Sequence, residues 1–221
     1  MIKAVLFDMD GLMIDSESIQ SKSFEEIIKE YGKQPIYNDQ GIVQTVGISA
    51  RDNWLQLAQT YSLNEDIDVL IEKKRQVYES LLLKNLSPMP GLINLLNHLA
   101  NYPVKKAVVS SSAKRNIDIV VNQLGITQHF DTFVSGEQVK HGKPAPDIFL
   151  EAANLLHVEP SNCLVLEDAV TGVQSAKSAG MKVIAVPNKF TAHQDFSAAN
   201  KIISSLKDIN WETISSAEKR D

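Results

Sequence analysis

Four short apolar runs in this sequence each break off into polar residues that can carry chemistry. Ala4-Val5-Leu6-Phe7 gives way to Asp8-Met9-Asp10-Gly11, and Ala107-Val108-Val109 to Ser110-Ser111-Ser112. Cys163-Leu164-Val165-Leu166 gives way to Glu167-Asp168, and Val183-Ile184-Ala185-Val186 to Pro187-Asn188. Phe133-Val134 before Ser135-Gly136 is a weaker fifth. Runs that are apolar throughout, without alternation, belong to strands covered on both faces. Helical patterns lie between them. Leu92, Leu95, Leu96 and Leu99 recur at i, i+3, i+4 and i+7, as do Ile117, Val120, Val121 and Leu124. Ile148, Phe149, Ala152, Leu155 and Leu156 mark another helix. Pro90 and Gly91 precede the first of these, and Gly125 closes the second as a C-terminal cap. Strands alternating with helices predict an α/β fold with a doubly wound parallel sheet.

One stretch interrupts the alternation. From Asp15 to Ser87 no strand pattern occurs, and three amphipathic helices are predicted. The first carries Phe24, Ile27, Ile28 and Tyr31. The second opens at Ser49-Ala50-Arg51-Asp52, which resembles a capping box, and buries Trp54, Leu57, Ala58 and Tyr61. The third carries Leu70, Lys74, Val77, Tyr78, Leu81 and Leu82. Ser87-Pro88-Met89-Pro90-Gly91 reads as a linker. The expected organisation is an α/β core of residues 1–14 and 88–221, with an all-helical domain, 15–87, inserted after the first strand. The polar tail from Ser215 to Asp221 is expected to fray.

Composition narrows the function classes. With 22 basic and 27 acidic side chains and no basic block, nucleic acid is not an expected partner. The single Cys163 excludes an internal disulfide and is read as an inert buried thiol in a reducing cytosol. The start of the chain lacks the charged-then-apolar order of a signal peptide, and no apolar stretch approaches 18 residues, so no membrane partner is expected. The five histidines form no pattern, and no His or Cys cluster has zinc spacing. The expectation is a cytoplasmic monomer whose partner is a small molecule.

Ligands of open parallel sheets bind beyond the carboxyl ends of the strands. That edge would gather Asp8, Asp10, Ser110, Glu167 and Asp168, with Lys143 from the loop Gly142-Lys143-Pro144-Ala145-Pro146-Asp147. Carboxylates crowded together repel unless a cation neutralises them. An all-oxygen set suits Mg²⁺, which keeps waters and shares a phosphate oxygen. Lys143 would offset the remaining negative charge, and Ser110 would donate to a phosphate oxygen. These are the parts needed for phosphoryl transfer. A carboxylate serves as the in-line nucleophile. Asp10, two residues after Asp8, would protonate the leaving oxygen and then activate water.

Asp8-Met9-Asp10-Gly11-Leu12-Met13-Ile14-Asp15-Ser16 resembles the first motif of the haloacid dehalogenase-superfamily phosphatases, and Val108-Val109-Ser110 their second. Lys143 within Gly-Lys-Pro-Ala-Pro-Asp resembles the third, and Leu166-Glu167-Asp168 followed by Thr171-Gly172-Val173 the fourth. The four occur in order over nearly the whole chain, and the branch resembled is that of β-phosphoglucomutases and sugar phosphatases. The resemblance implies a Rossmann-like core, a helical cap and an aspartyl-phosphate on Asp8. It implies Asp10 as acid and base, and Ser110 and Lys143 as phosphate ligands. It also implies Mg²⁺ held by Asp8, the Asp10 carbonyl and Asp168, with Glu167 in support. Ser111 is placed with the substrate. Gln20, one turn into the first cap helix, points toward the substrate by the same analogy. Arg51 and Lys74, on cap elements, are read either as anion partners or as solvated cationic side chains.

Some residues keep two readings. Asp15 either binds the N-terminus of the first cap helix, the reading preferred, or touches substrate. Glu167 supports the metal or only caps the next helix. Ser112 reads as a helix cap. The function expected is a phosphatase of small phosphorylated metabolites, sugar phosphates foremost. The alternatives are a β-phosphoglucomutase-type mutase, a dehalogenase, which has no use for Asp10, and a phospho-aspartate switch outside enzymes. Against the mutase, the resembling mutases carry a His where this chain has Gln20. Arg51 also falls one residue late after Gly47-Ile48-Ser49, although Lys74 matches a cap lysine.

Overall fold

The computed structural model describes residues 1–217, with Asn85 described by its backbone alone. It contains six strands and eight α-helices among the described residues. The chain divides into two compact units, one of Met1–Asp15 with Ser87 onward and one of Ser16–Leu86.

The first unit holds a six-stranded, all-parallel sheet. Its strands are β1 (Ala4–Phe7), β2 (Lys105–Ser110), β3 (Thr132–Ser135), β4 (Cys163–Glu167), β5 (Lys182–Ala185) and β6 (Lys201–Ile202). Their spatial order is β3-β2-β1-β4-β5-β6. Alternate residues Ala4, Leu6, Ala107, Val109, Val165, Val183 and Ala185 pack with Ile148, Phe149, Ala152, Val173 and Ala176 of helices α6 (Asp147–Leu156) and α7 (Val170–Ser178). The intervening Val5, Phe7, Val108, Leu164, Leu166 and Ile184 are buried as well, so both faces are covered. This is why the strands read as unbroken apolar runs. Each such Leu, Ile, Val or Phe contributes about 1.5–3 kcal/mol on burial.

Helices α4 (Leu92–Leu99) and α5 (Lys114–Gln123) lie where the leucine and valine patterns place them. Gly125, at φ 64°, ends α5: Ile126 N–H donates to Val121 O at 2.9 Å, the wrapped bond of a left-handed cap. Cys163 is fully buried, and burial pushes its thiol up to about 11, the state of an inert structural cysteine.

Two features differ from the sequence reading. Strand β6 has only two residues and no apolar run. Helix α8 (Trp211–Ser216) takes in Ser215 and Ser216, capped by Asn210 Oδ1 accepting from Thr213 N–H at 2.8 Å. Ile214 within it and Ala217 at its end are buried, so the tail does not fray where expected. The rest of that tail, 218–221, lies outside the described residues.

The second unit is all-helical: α1 (Ser16–Glu30), α2 (Ala50–Tyr61) and α3 (Ile67–Asn85). Phe24, Ile27, Ile28, Trp54, Leu57, Tyr61 and Leu70 form its core. Ser49 caps α2, its Oγ accepting from Asp52 N–H at 3.0 Å. Asp52 answers through the Ser49 hydroxyl at 2.7 Å, where a capping box would use the backbone. No described helix is long and apolar enough to cross a membrane.

Candidate active site

Register decides which strand-end residues meet. Phe7 lies opposite Val108 of β2 and Leu166 of β4, and Glu167 opposite Ala185 of β5. One residue further along, Asp8 comes level with Glu167, and Asp8 N–H donates to Leu166 O at 3.0 Å. Asp8, Glu167 and Asp168, all buried, each offer an oxygen within 4.8 Å of the others.

Lys143 reaches this group from the loop before α6. Its Nζ donates to Asp8 Oδ1 at 2.6 Å and to Glu167 Oε2 at 2.7 Å, and its side chain is 8% exposed. The loop is tied down by Ser175 Oγ donating to Ala145 O at 2.6 Å, and Phe149 lies under the ammonium with its ring centroid at 4.9 Å. Glu167 Oε1 also accepts from the N–H groups of Asp168 and Ala169, both at 3.2 Å. Thus one carboxylate steadies the turn into α7 and neutralises Lys143. Gly172 makes room for it, since a Cβ there would collide with the Glu167 carboxylate.

The electrostatics follow from burial. Burial, then the neighbouring Glu167 charge, holds the Asp8 carboxyl well above the ordinary range, and the same two causes raise Asp168. Burial alone would lower Lys143, but Asp8 and Glu167 more than reverse it and keep the ammonium charged. Three carboxylates and one ammonium leave two negative charges in surplus when all are ionised. The donors are all oxygens. Two ligands across one Mg²⁺ lie about 4.2 Å apart, so the grouping fits a hard divalent cation.

Asp10 turns the other way along the edge. Its Oδ2 accepts from Ser110 Oγ and from Ser112 Oγ, each at 2.8 Å. Its Oδ1 is buried with no hydrogen-bond partner among the described residues. Ser110 is fully buried and Ser111 exposed. Ser112, read from the sequence as a helix cap, is not one: the N-cap of α5 is Ala113, without a side-chain bond. Its hydroxyl is turned to Asp10 instead. Asp15 pairs with Lys189 at 3.3 Å.

The cap candidates separate. In the helical unit, Lys74 Nζ donates to Gln20 Oε1 and lies 5.2 Å and 5.0 Å from the ring centres of Phe24 and Tyr78. Both residues line a hollow of about 160 Å³, with Glu17, Gln44, Thr45 and Asn53. Gln44 presents a buried Oε1 with no partner among the described residues. Arg51 is not among the residues lining this hollow and forms an ion pair with Asp68 that is more than half exposed at both side chains.

The sequence reading passed over Asn188. Its Nδ2 donates to Asp168 Oδ2 at 2.7 Å and to Gly11 O at 3.1 Å. The available signal was position: Asn188 follows the strand that neighbours β4. Gly11, at φ 87°, is needed there because a Cβ would meet Asp168 Oδ2 and Asn188 Nδ2.

The family described as haloacid dehalogenase-like hydrolase matches residues 5–186 of this chain. The bifunctional riboflavin kinase/FMN phosphatase of Arabidopsis thaliana is 32% identical over 209 residues, 94% of this chain and 54% of that protein, so the chain spans about half of that relative. The fructose-1-phosphate phosphatase of Escherichia coli K12 is 32% identical over 185 residues, 82% of this chain and 95% of the relative. The crystal structure of a β-phosphoglucomutase from Clostridium difficile is similar at a TM-score of 0.78 and 29% identity, covering 99% of this chain and 97% of that one.

Proposed function

This chain belongs to the haloacid dehalogenase-like hydrolase family, and from that premise we propose that it is a Mg²⁺-dependent phosphatase of small phosphorylated metabolites, sugar phosphates foremost. The observation that carries the reading is Lys143 bridging Asp8 and Glu167, with Asp168 alongside, at the carboxyl edge of a parallel sheet. The relatives add weight, since one named for fructose 1-phosphate matches over 95% of its own length.

In this reading Lys143 fixes Asp8 by Oδ1 and leaves Oδ2 to attack phosphorus. As that bond forms, the ester P–O bond breaks and the leaving oxygen takes a proton from Asp10. Water then attacks the phosphorus of the aspartyl-phosphate and gives a proton to Asp10. Inorganic phosphate departs, with both aspartates restored. The Asp10 oxygen that lacks a partner among the described residues is the one that would face the leaving group and then the water. Ser110, buried beside it, gives its one hydroxyl proton to Asp10 here and would turn that proton to the phosphoryl group once substrate is bound, leaving Ser112 to orient Asp10, with Ser111 nearby. A divalent cation held by Asp8, Asp168 and the Asp10 carbonyl would offset negative charge on the phosphoryl oxygens.

Phosphate release is therefore expected to vanish with EDTA and return with Mg²⁺; full activity in metal-free buffer overturns the metal reading. Asp168→Ala should raise the half-saturating Mg²⁺ concentration more than Glu167→Ala, because Glu167 is already engaged by Lys143 and two backbone N–H groups. Equal shifts in the two titrations would remove that distinction.

Hydrolysis is preferred over isomerisation because of Gln20. Its Oε1 accepts from Lys74, and an amide neither takes up nor releases a proton near neutral pH. Given β-glucose 1-phosphate and a trace of the 1,6-bisphosphate, the enzyme should release free phosphate faster than it forms glucose 6-phosphate. Glucose 6-phosphate as the dominant product would establish the mutase instead.

A further inference from the structure

We infer that Asn188 is a positioning residue that holds Asp168 ready for the metal ion, an inference that rests on the metal reading above. Strand β5 ends level with Glu167, and Val186 N–H donates to Glu167 O at 2.7 Å, so the chain leaves the sheet beside the Glu167-Asp168 turn. Two residues later the Asn188 side chain is fixed at both polar atoms. Nδ2 donates to Asp168 Oδ2 at 2.7 Å and to Gly11 O at 3.1 Å, and Oδ1 accepts from Phe190 N–H at 2.8 Å. The reversed amide would set an oxygen against two acceptors and an NH₂ against a donor, so one orientation alone satisfies all three bonds.

The consequence falls on Asp168. Asn188 occupies its Oδ2, while its Oδ1 accepts no hydrogen bond among the described residues. One carboxylate oxygen is thereby tethered and the other left for a cation. An amide suits this task better than a cationic side chain, because it orients the carboxylate without cancelling the charge that attracts the ion. Asn188 also ties together the loops after β1, β4 and β5, through Gly11 O, Asp168 and its own backbone.

The test uses Mn²⁺, which prefers the same oxygen ligands as Mg²⁺. It is titrated into metal-free protein and followed by the electron paramagnetic resonance of the free ion, so no turnover is needed. Asn188→Ala and Asn188→Ser should each weaken Mn²⁺ binding by about 10–100-fold, the usual effect of removing a partner that orients a metal ligand. The serine hydroxyl can still accept from the N–H two residues on, as the asparagine does, but does not reach Asp168. Thr191→Ala removes the hydroxyl that accepts from Asn188 N–H at 3.0 Å. It loosens the same turn without touching the amide, and should bind Mn²⁺ like the wild type. Wild-type affinity in Asn188→Ser, or an equal loss in Thr191→Ala, overturns the assignment and makes Asn188 a loop-building residue. A wild-type protein that binds no Mn²⁺ overturns the metal reading itself and this inference with it, an outcome distinct from a failure confined to the variants.

Discussion

Asp8→Asn is expected to abolish turnover, with kcat falling on the order of 10⁴–10⁶-fold, the scale at which loss of a nucleophile is felt. The amide retains the shape of the side chain, and its Oδ1 can still accept from Lys143. The fold should not suffer. Burial and the Glu167 charge hold the Asp8 carboxyl well above its ordinary range. An acid raised in this way costs stability as pH climbs from its unfolded pKa toward its folded one. At neutral pH a neutral isostere removes that cost, so metal-free Asp8→Asn should melt at or above the wild-type Tm. Phosphate release and thermal melting check the two halves separately. Near-wild-type activity would remove Asp8 as nucleophile. A clear fall in Tm would mean that the bond to charged Asp8 outweighs its burial.

Lys143→Met carries the second large effect, and here activity and stability should fall together. The ammonium sits between two buried carboxylates and its side chain is 8% exposed. Removing one partner of a buried ion pair costs about 3–5 kcal/mol, because the charge left behind is uncompensated. The loss relative to wild type should be greatest near neutral pH. It should shrink as pH falls and Asp8, whose carboxyl is held above its ordinary range, takes up its proton. Turnover should drop by about 10²–10³-fold, as when an electrostatic donor to the transition state is removed. Urea unfolding at several pH values, beside phosphate release, measures both. A variant as stable as the wild type at pH 7 would show that water screens the carboxylates.

The strands that anchor the site were legible because a sheet covered on both faces leaves unbroken apolar runs such as Val183-Ile184-Ala185. Strand β6 was not, since Lys201 and Ile202 sit at the sheet's edge and Ile202 is 58% exposed. The gathering of Asp8, Glu167 and Asp168 follows from strand ends alone, and Lys143 joins them from the loop before α6. The division of labour among them does not. A serine before a helix is ordinarily a cap, and nothing in Ser110-Ser111-Ser112 says that the third hydroxyl turns to Asp10. Asn188 was hidden for a related reason. Its role depends on β5 lying beside β4, and spatial order is not written in a hydrophobic period. Arg51 illustrates the opposite limit, a cation nominated by its element whose partner turned out to be Asp68.

The crossing between the two units has a consequence for descent. Ile14 bridges Pro88, and Met89 N–H donates to Met13 O at 2.8 Å, so the chain departs and returns at adjacent points on the sheet unit. Closing such a loop costs little more for a long insert than for a short one. The hydrogen bonds described for Asp8, Asp10, Lys143, Glu167, Asp168 and Asn188 are all made with residues outside 16–86. A lineage can therefore rewrite, lengthen or exchange the segment between Ile14 and Pro88 while inheriting its acid cluster unaltered.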